Sequence, residues 1–84
     1  MKEKYQKILL QEGLNDWKII IKKRGGGGNC SFSKKEIILD TKHKDNFGLF
    51  LHELAHAVSG KKHYENDGIL MDTMARLINK YTNF

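Results

Sequence analysis

Lys44-Asp45-Asn46-Phe47-Gly48-Leu49-Phe50-Leu51-His52-Glu53-Leu54-Ala55-His56-Ala57-Val58-Ser59-Gly60 reads as one amphipathic helix with its chemistry on a single face. Phe47, Leu51, Leu54, Ala55 and Val58 fall at i, i+4, i+7, i+8 and i+11, an apolar stripe at helical period. Gly60 stands where a left-handed cap ends such a helix. At about 100° per residue, His52 and His56 differ by only about 40° and project side by side, about 6 Å apart along the axis. With Leu51 at zero, His52, His56 and Glu53 lie near ~100°, ~140° and ~200°, beside the core stripe but not opposite it. The pattern predicts a half-covered cleft lined by two imidazoles and a carboxylate.

That combination has a specific chemistry. Zinc takes imidazole nitrogens at about 2.0–2.1 Å, and a catalytic site uses three protein ligands with the fourth position left to water. Glu53, one residue after His52, reaches the zinc-bound water and not the ion. It can take a proton as the water attacks a carbonyl and return it to the leaving amine. With four His and five Glu in 84 residues, roughly one shuffled chain in a hundred carries the pattern by chance. Its helical phase beside a core stripe makes coincidence rarer still. The competing interpretation is an exposed histidine pair on a polar helix face.

A third ligand is expected just downstream. His63 follows Gly60 after a short stretch, and a tight turn could swing it back over the helix end. Glu65, Asp67 and Asp72 are the competitors, and a solvent-exposed His63 beside Lys61-Lys62 is the plainer alternative.

Eighty-four residues make one small domain, 1–84, whose core is marginal without a staple. One cysteine, Cys30, rules out an intramolecular disulfide, which leaves a metal or a partner to supply that staple. A net charge of +5 is spread over the doublets Lys22-Lys23, Lys34-Lys35 and Lys61-Lys62. With only Arg24 and Arg76 as arginines, this reads as a solvated surface with at most weak attraction to nucleic acid. No apolar run reaches the roughly 18–20 residues of a membrane span, and Ile8-Leu9-Leu10 is too short for a secretory signal core. The expectation is a cytoplasmic protein.

Working outward, Tyr5, Ile8 and Leu9 suggest a helix from Lys2 to Glu12, ended by Gly13. Trp17-Lys18-Ile19-Ile20-Ile21-Lys22 is β-branched and short, so it reads as a strand with Trp17 as core anchor. The run Gly25-Gly26-Gly27-Gly28 suits a wide bulge, a mobile loop or close backbone approach, and it lacks the Gly-Lys-Ser/Thr of a phosphate loop. Cys30–Ser33 and Glu36–Asp40 read as two strands joined by a tight Lys34-Lys35 turn. Met74, Leu77, Ile78 and Tyr81 predict a last helix with one buried stripe.

His52-Glu53-x-x-His56 with His63, followed by Gly68-Ile69-Leu70-Met71, resembles the zincin metallopeptidases, and within them the metzincins. In matrixin-type members the third His is followed at +5 by Gly and at +8 by the methionine of a turn beneath the metal. Gly68 and Met71 keep those offsets from His63. The metzincin pattern places its glycine at +3 and its third His at +6 from the second His. Here Gly60 is at +4 and His63 at +7, one residue longer. Asn29-Cys30-Ser31-Phe32-Ser33 through Leu39 and the helix motif also resemble SprT-like proteases, which act on DNA-associated proteins. YbeY-type endoribonucleases share a three-histidine layout but lack the glutamate, so Glu53 argues against them.

The resemblance and the residues together imply an α+β fold: a mostly antiparallel sheet of about three strands packed on the active-site helix, with N- and C-terminal helices. They imply a zinc endopeptidase in which His52, His56 and His63 hold Zn2+ and Glu53 is the catalytic residue. Protein or peptide substrate would bind extended along a strand edge, on a monomer or a self-masking dimer. Tyr64 is a candidate oxyanion donor and Met71 a candidate floor of the site, with surface and core roles as their alternatives. Cys30 reads as a small buried residue, or else as a thiolate that masks the zinc. A SprT-like protease and a non-catalytic zinc-stabilised binding module are the alternatives.

Overall fold

The computed structural model describes residues 2–23, 25–60 and 68–82. Among them are helix α1 (Lys2–Gln11), strands β1 (Lys18–Lys22), β2 (Gly28–Ser31) and β3 (Glu36–Asp40), helix α2 (Phe47–Ser59) and helix α3 (Ile69–Thr82). A single 3-10 turn, Thr41–His43, joins β3 to α2. The fold is α+β, as the sequence predicts.

Helix α1 ends where Gly13 permits. Gly13 sits at φ +79°, the Leu14 N–H donates to the Leu9 carbonyl at 2.9 Å and the Gly13 N–H to the Leu10 carbonyl at 3.1 Å. These two bonds satisfy carbonyls that the end of a helix leaves without intrahelical partners. Tyr5, fully buried, stacks on Phe50 of α2 at a centroid distance of 4.1 Å and donates its hydroxyl to the Lys44 carbonyl at 2.8 Å.

The sheet is mixed, with order β1-β3-β2, and not mostly antiparallel. β3 pairs parallel with β1 (Ile19↔Ile37, Ile21↔Leu39) and antiparallel with β2 (Gly28↔Leu39, Cys30↔Ile37). The expected hairpin between β2 and β3 exists. It inserts β3 into the centre, so β2 lies two strand spacings, roughly 10 Å, from β1. The glycine run makes that crossing possible: Gly25, Gly26 and Gly27 hold φ of +69°, +94° and +84°, a succession other residues adopt only with strain. Buried Asp40 at the end of β3 secures it. Its N–H donates to the Gly27 carbonyl, and its carboxylate accepts from the Gly25 and Lys42 N–H groups.

Phe32 leaves the strand in which it was expected. β2 stops at Ser31, residues 32–35 form the turn with Lys35 at φ +55°, and Phe32 meets Trp17 edge-to-face at 6.1 Å. The side chains of Ile19, Ile37 and Leu39 are buried on the helix-facing side of the sheet, with Gly28 and Cys30 on that same side by strand alternation. β1 and β2 are the two sheet edges. The β1 edge is engaged by Gln6 of α1, whose amide donates to the Trp17 carbonyl at 3.0 Å and accepts from the Ile19 N–H at 3.4 Å.

Helix α2 begins three residues later than the sequence suggests, because the Asn46 side chain caps it by accepting from the Leu49 N–H at 3.0 Å. Gly60 ends it at φ +71°, as expected. In α3, Leu70 and Leu77 are buried, Met74 and Tyr81 half-buried, and Ile78 is exposed, contrary to the predicted stripe.

α3 is tied to the end of α1 through Glu12. Its carboxylate, only 4% exposed, accepts from Arg76 at 2.9 Å, Lys80 at 2.8 Å and the Tyr81 hydroxyl at 2.6 Å. Burial pushes the Glu12 carboxyl up, but the donors from Lys80, Tyr81 and Arg76 outweigh it and hold the group at about 2, against an ordinary 4.5. The folded value lies below the unfolded one, so this stabilisation is complete above about pH 4.5 and disappears as pH falls towards 2. Denaturant titrations across that window should show the wild type losing on the order of 1–2 kcal/mol more than Glu12→Gln, since the half-exposed Arg76 and Lys80 are screened by solvent. Parallel pH profiles for the two proteins would show that the clasp is energetically silent.

Candidate metal centre

His52, Glu53 and His56 lie on consecutive turns of α2, and the surrounding elements bury them unequally. His52 is half-buried, while Glu53 is 7% and His56 5% exposed. The sequence places this face beside the core stripe, and the structure encloses it further because β2 packs against α2.

The two imidazoles converge. Nε2 of His52 and Nε2 of His56 are 3.4 Å apart, with ring planes at 82°. Hydrogen bonds donated by N–H groups are normally 2.7–3.2 Å long, so this is a long contact for a shared proton. Two nitrogens about 2.0–2.1 Å from one tetrahedral ion stand roughly 3.3–3.4 Å apart. The separation therefore suits two ligands of a common ion without rotamer change. His56 also lies in the last turn of α2, where the helix dipole favours positive charge.

Glu53 turns towards the sheet. Its carboxylate lies against Gly28 of β2, and Cys30 is near enough to feel its charge. Burial first, then the Glu53 carboxylate, pushes the Cys30 thiol up to about 12. Half-buried Cys30 is thus a neutral group at neutral pH, in keeping with the small-filler role.

Among the described residues, no three His, Cys, Asp or Glu side chains come together as a ligand set. His63, Glu65 and Asp67 lie outside the described residues, as does Tyr64. Asp72 is exposed in the first turn of α3 and is not brought to the histidine pair. Met71 departs from the expected arrangement. It lies within helix α3 at 66% exposure, where a methionine flooring the site would be buried. Its neighbour Leu70 takes the core position instead, one helical step of about 100° away.

Sequence reasoning does not single out Gly28. The glycine run signals a special backbone, but nothing local says which glycine faces Glu53. Comparison with known proteins finds no matching family model, no similar curated protein and no similar solved structure. No helix among the described residues is long and apolar enough to cross a membrane.

The closeness of Cys30 to Glu53 can be measured. In metal-free protein, Cys30 should resist iodoacetamide at pH 7.5, and Glu53→Gln should speed alkylation several-fold at pH 9, because removing the negative charge lowers the thiol pKa. Equal rates in the two proteins would place Cys30 outside the reach of Glu53.

Proposed function

We propose that the chain is a zinc-dependent endopeptidase of minimal zincin type. The observation that carries this reading is the 3.4 Å convergence of the His52 and His56 Nε2 atoms, with Glu53 between them in sequence. His52 and His56 would hold the ion from α2, with His63 as the third ligand. A zinc ion there would polarise the scissile carbonyl and lower the pKa of water to about 7.

The chain's own residues supply the remaining work. Glu53 accepts the proton of the attacking water and delivers it to the leaving amine nitrogen. Its burial against β2 keeps bulk water from competing for the carboxylate. Of the sheet edges, β1 is engaged by Gln6 and β2 runs beside Glu53, so an extended peptide adds to β2. The ion also has a structural use. Spanning from α2 to the segment before α3, it would staple a core that 84 residues leave marginal.

Native mass spectrometry should find one zinc per chain in the wild type, and none or loosely held zinc in His52→Ala, His56→Ala and His63→Ala. Zinc at about 100 times its Kd should raise stability by about 2.7 kcal/mol, or the melting temperature by more than about 10 °C. Glu53→Gln should keep the metal and lose roughly 10²- to 10⁴-fold in peptide hydrolysis. Absence of zinc in the fully supplied wild type would sink the reading. Zinc without hydrolysis would leave a binding module, and cleavage only with DNA at low salt would favour SprT-like action on nucleoprotein.

A further inference from the structure

We infer that Gly28 is a positioning residue for Glu53: its missing side chain is the space in which the carboxylate is held. This rests on the reading of Glu53 as the base. Gly25, Gly26 and Gly27 are accounted for by their positive φ, whereas Gly28 is ordinary strand backbone that any residue could adopt. Glycine weakens a strand interior, so its presence there marks a close approach by something else. The approaching group is Glu53. A Cβ built on Gly28 stands 3.3 Å from Glu53 Cγ, 3.3 Å from Glu53 Oε2 and 3.3 Å from the Ile38 carbonyl oxygen. Favourable carbon contacts begin at about 3.5 Å, so a side chain at 28 forces one neighbour to move.

The Ile38 oxygen belongs to the central strand, paired on both sides, and cannot yield without disturbing the sheet. Glu53 is the side that gives, by a few tenths of an ångström. Such a shift approaches the roughly 0.5 Å within which catalytic groups must be held. Gly28 and Cys30 occupy the same face of β2, so the strand offers Glu53 a gap followed by a neutral thiol. The histidine pair is held within α2 and does not depend on that gap.

Gly28→Ala tests the inference, with Gly48→Ala as a control because a Cβ at Gly48 meets only Asn46 Oδ1 at 3.6 Å. Gly28→Ala should keep one zinc per chain and a KM within about twofold, while kcat falls roughly tenfold. Melting temperatures of wild type, Gly28→Ala, Glu53→Ala and the double variant complete a cycle that needs no activity. Without the Glu53 side chain, Gly28→Ala should be better tolerated by about 4 °C. Additive melting temperatures, or an unchanged kcat in a zinc-loaded Gly28→Ala, would overturn the inference. A wild type that holds zinc and hydrolyses nothing defeats the base reading and the catalytic half of the inference with it. The coupling in melting temperature then still upholds or overturns the steric half.

Discussion

Helix α2 is enclosed on most of its surface, and the rest of the structure follows from that enclosure. Phe50, Leu51, Leu54 and Ala55 are all at most 1% exposed, with Tyr5 stacked on Phe50 and the sheet and α3 packed around the helix. An element enclosed this way cannot keep its polar side chains in water, so His56 and Glu53 are carried into the interior with the apolar ones. Interior polar groups must find partners, because an unsatisfied one costs on the order of 1–3 kcal/mol. Among the described residues, no buried side-chain nitrogen or oxygen is left without a hydrogen-bond partner. The same arrangement of His52, Glu53 and His56 is the one the proposed metal chemistry would use.

The neighbours of α2 have their own constraints. β2 reaches its place beside Glu53 only because residues 25–27 carry the chain across the end of β3, and that crossing needs three left-handed glycines and the buried carboxylate of Asp40. α3 is held at its far end by Glu12, which gathers three donors from successive turns of the helix. Charge-assisted bonds of this kind are the stronger ones in proteins, and here they take over part of the work of a small apolar core. Two exposed apolar side chains of α3, Met71 at 66% and Ile78 at 46%, lie on the opposite flank of the helix from Arg76 and Lys80.

Sequence reasoning located the secondary structure wherever the governing interaction is local. Gly13 and Gly60 stop their helices because a left-handed residue satisfies the last carbonyls within one turn. The isoleucine-rich strands and the His52–His56 pair follow from periods of 2 and 3.6, which fix a side chain's direction within its own element. The failures share one cause. Phe32 was expected in a strand and instead leaves it for Trp17, fifteen residues away, while Ile78 and Met71 depend on which neighbour covers α3. Asn46 was the exception: a helix cap, legible three residues before Leu49, that the apolar pattern overshadowed.

By itself, the sequence determined an α+β chain, the helix that carries the candidate chemistry, and the pairing of two imidazoles on one face of it. The tertiary structure alone decided that β1 and β3 run parallel, that Glu12 binds α3, and that Gly28 and Cys30 flank Glu53. The division is physical. Periodicity and capping act over about four residues and are written in the local pattern. Strand order and the burial of a carboxylate are set by contacts reaching beyond one element, 18 positions between β1 and β3 and 69 between Glu12 and Tyr81, chosen by the packing of the whole core.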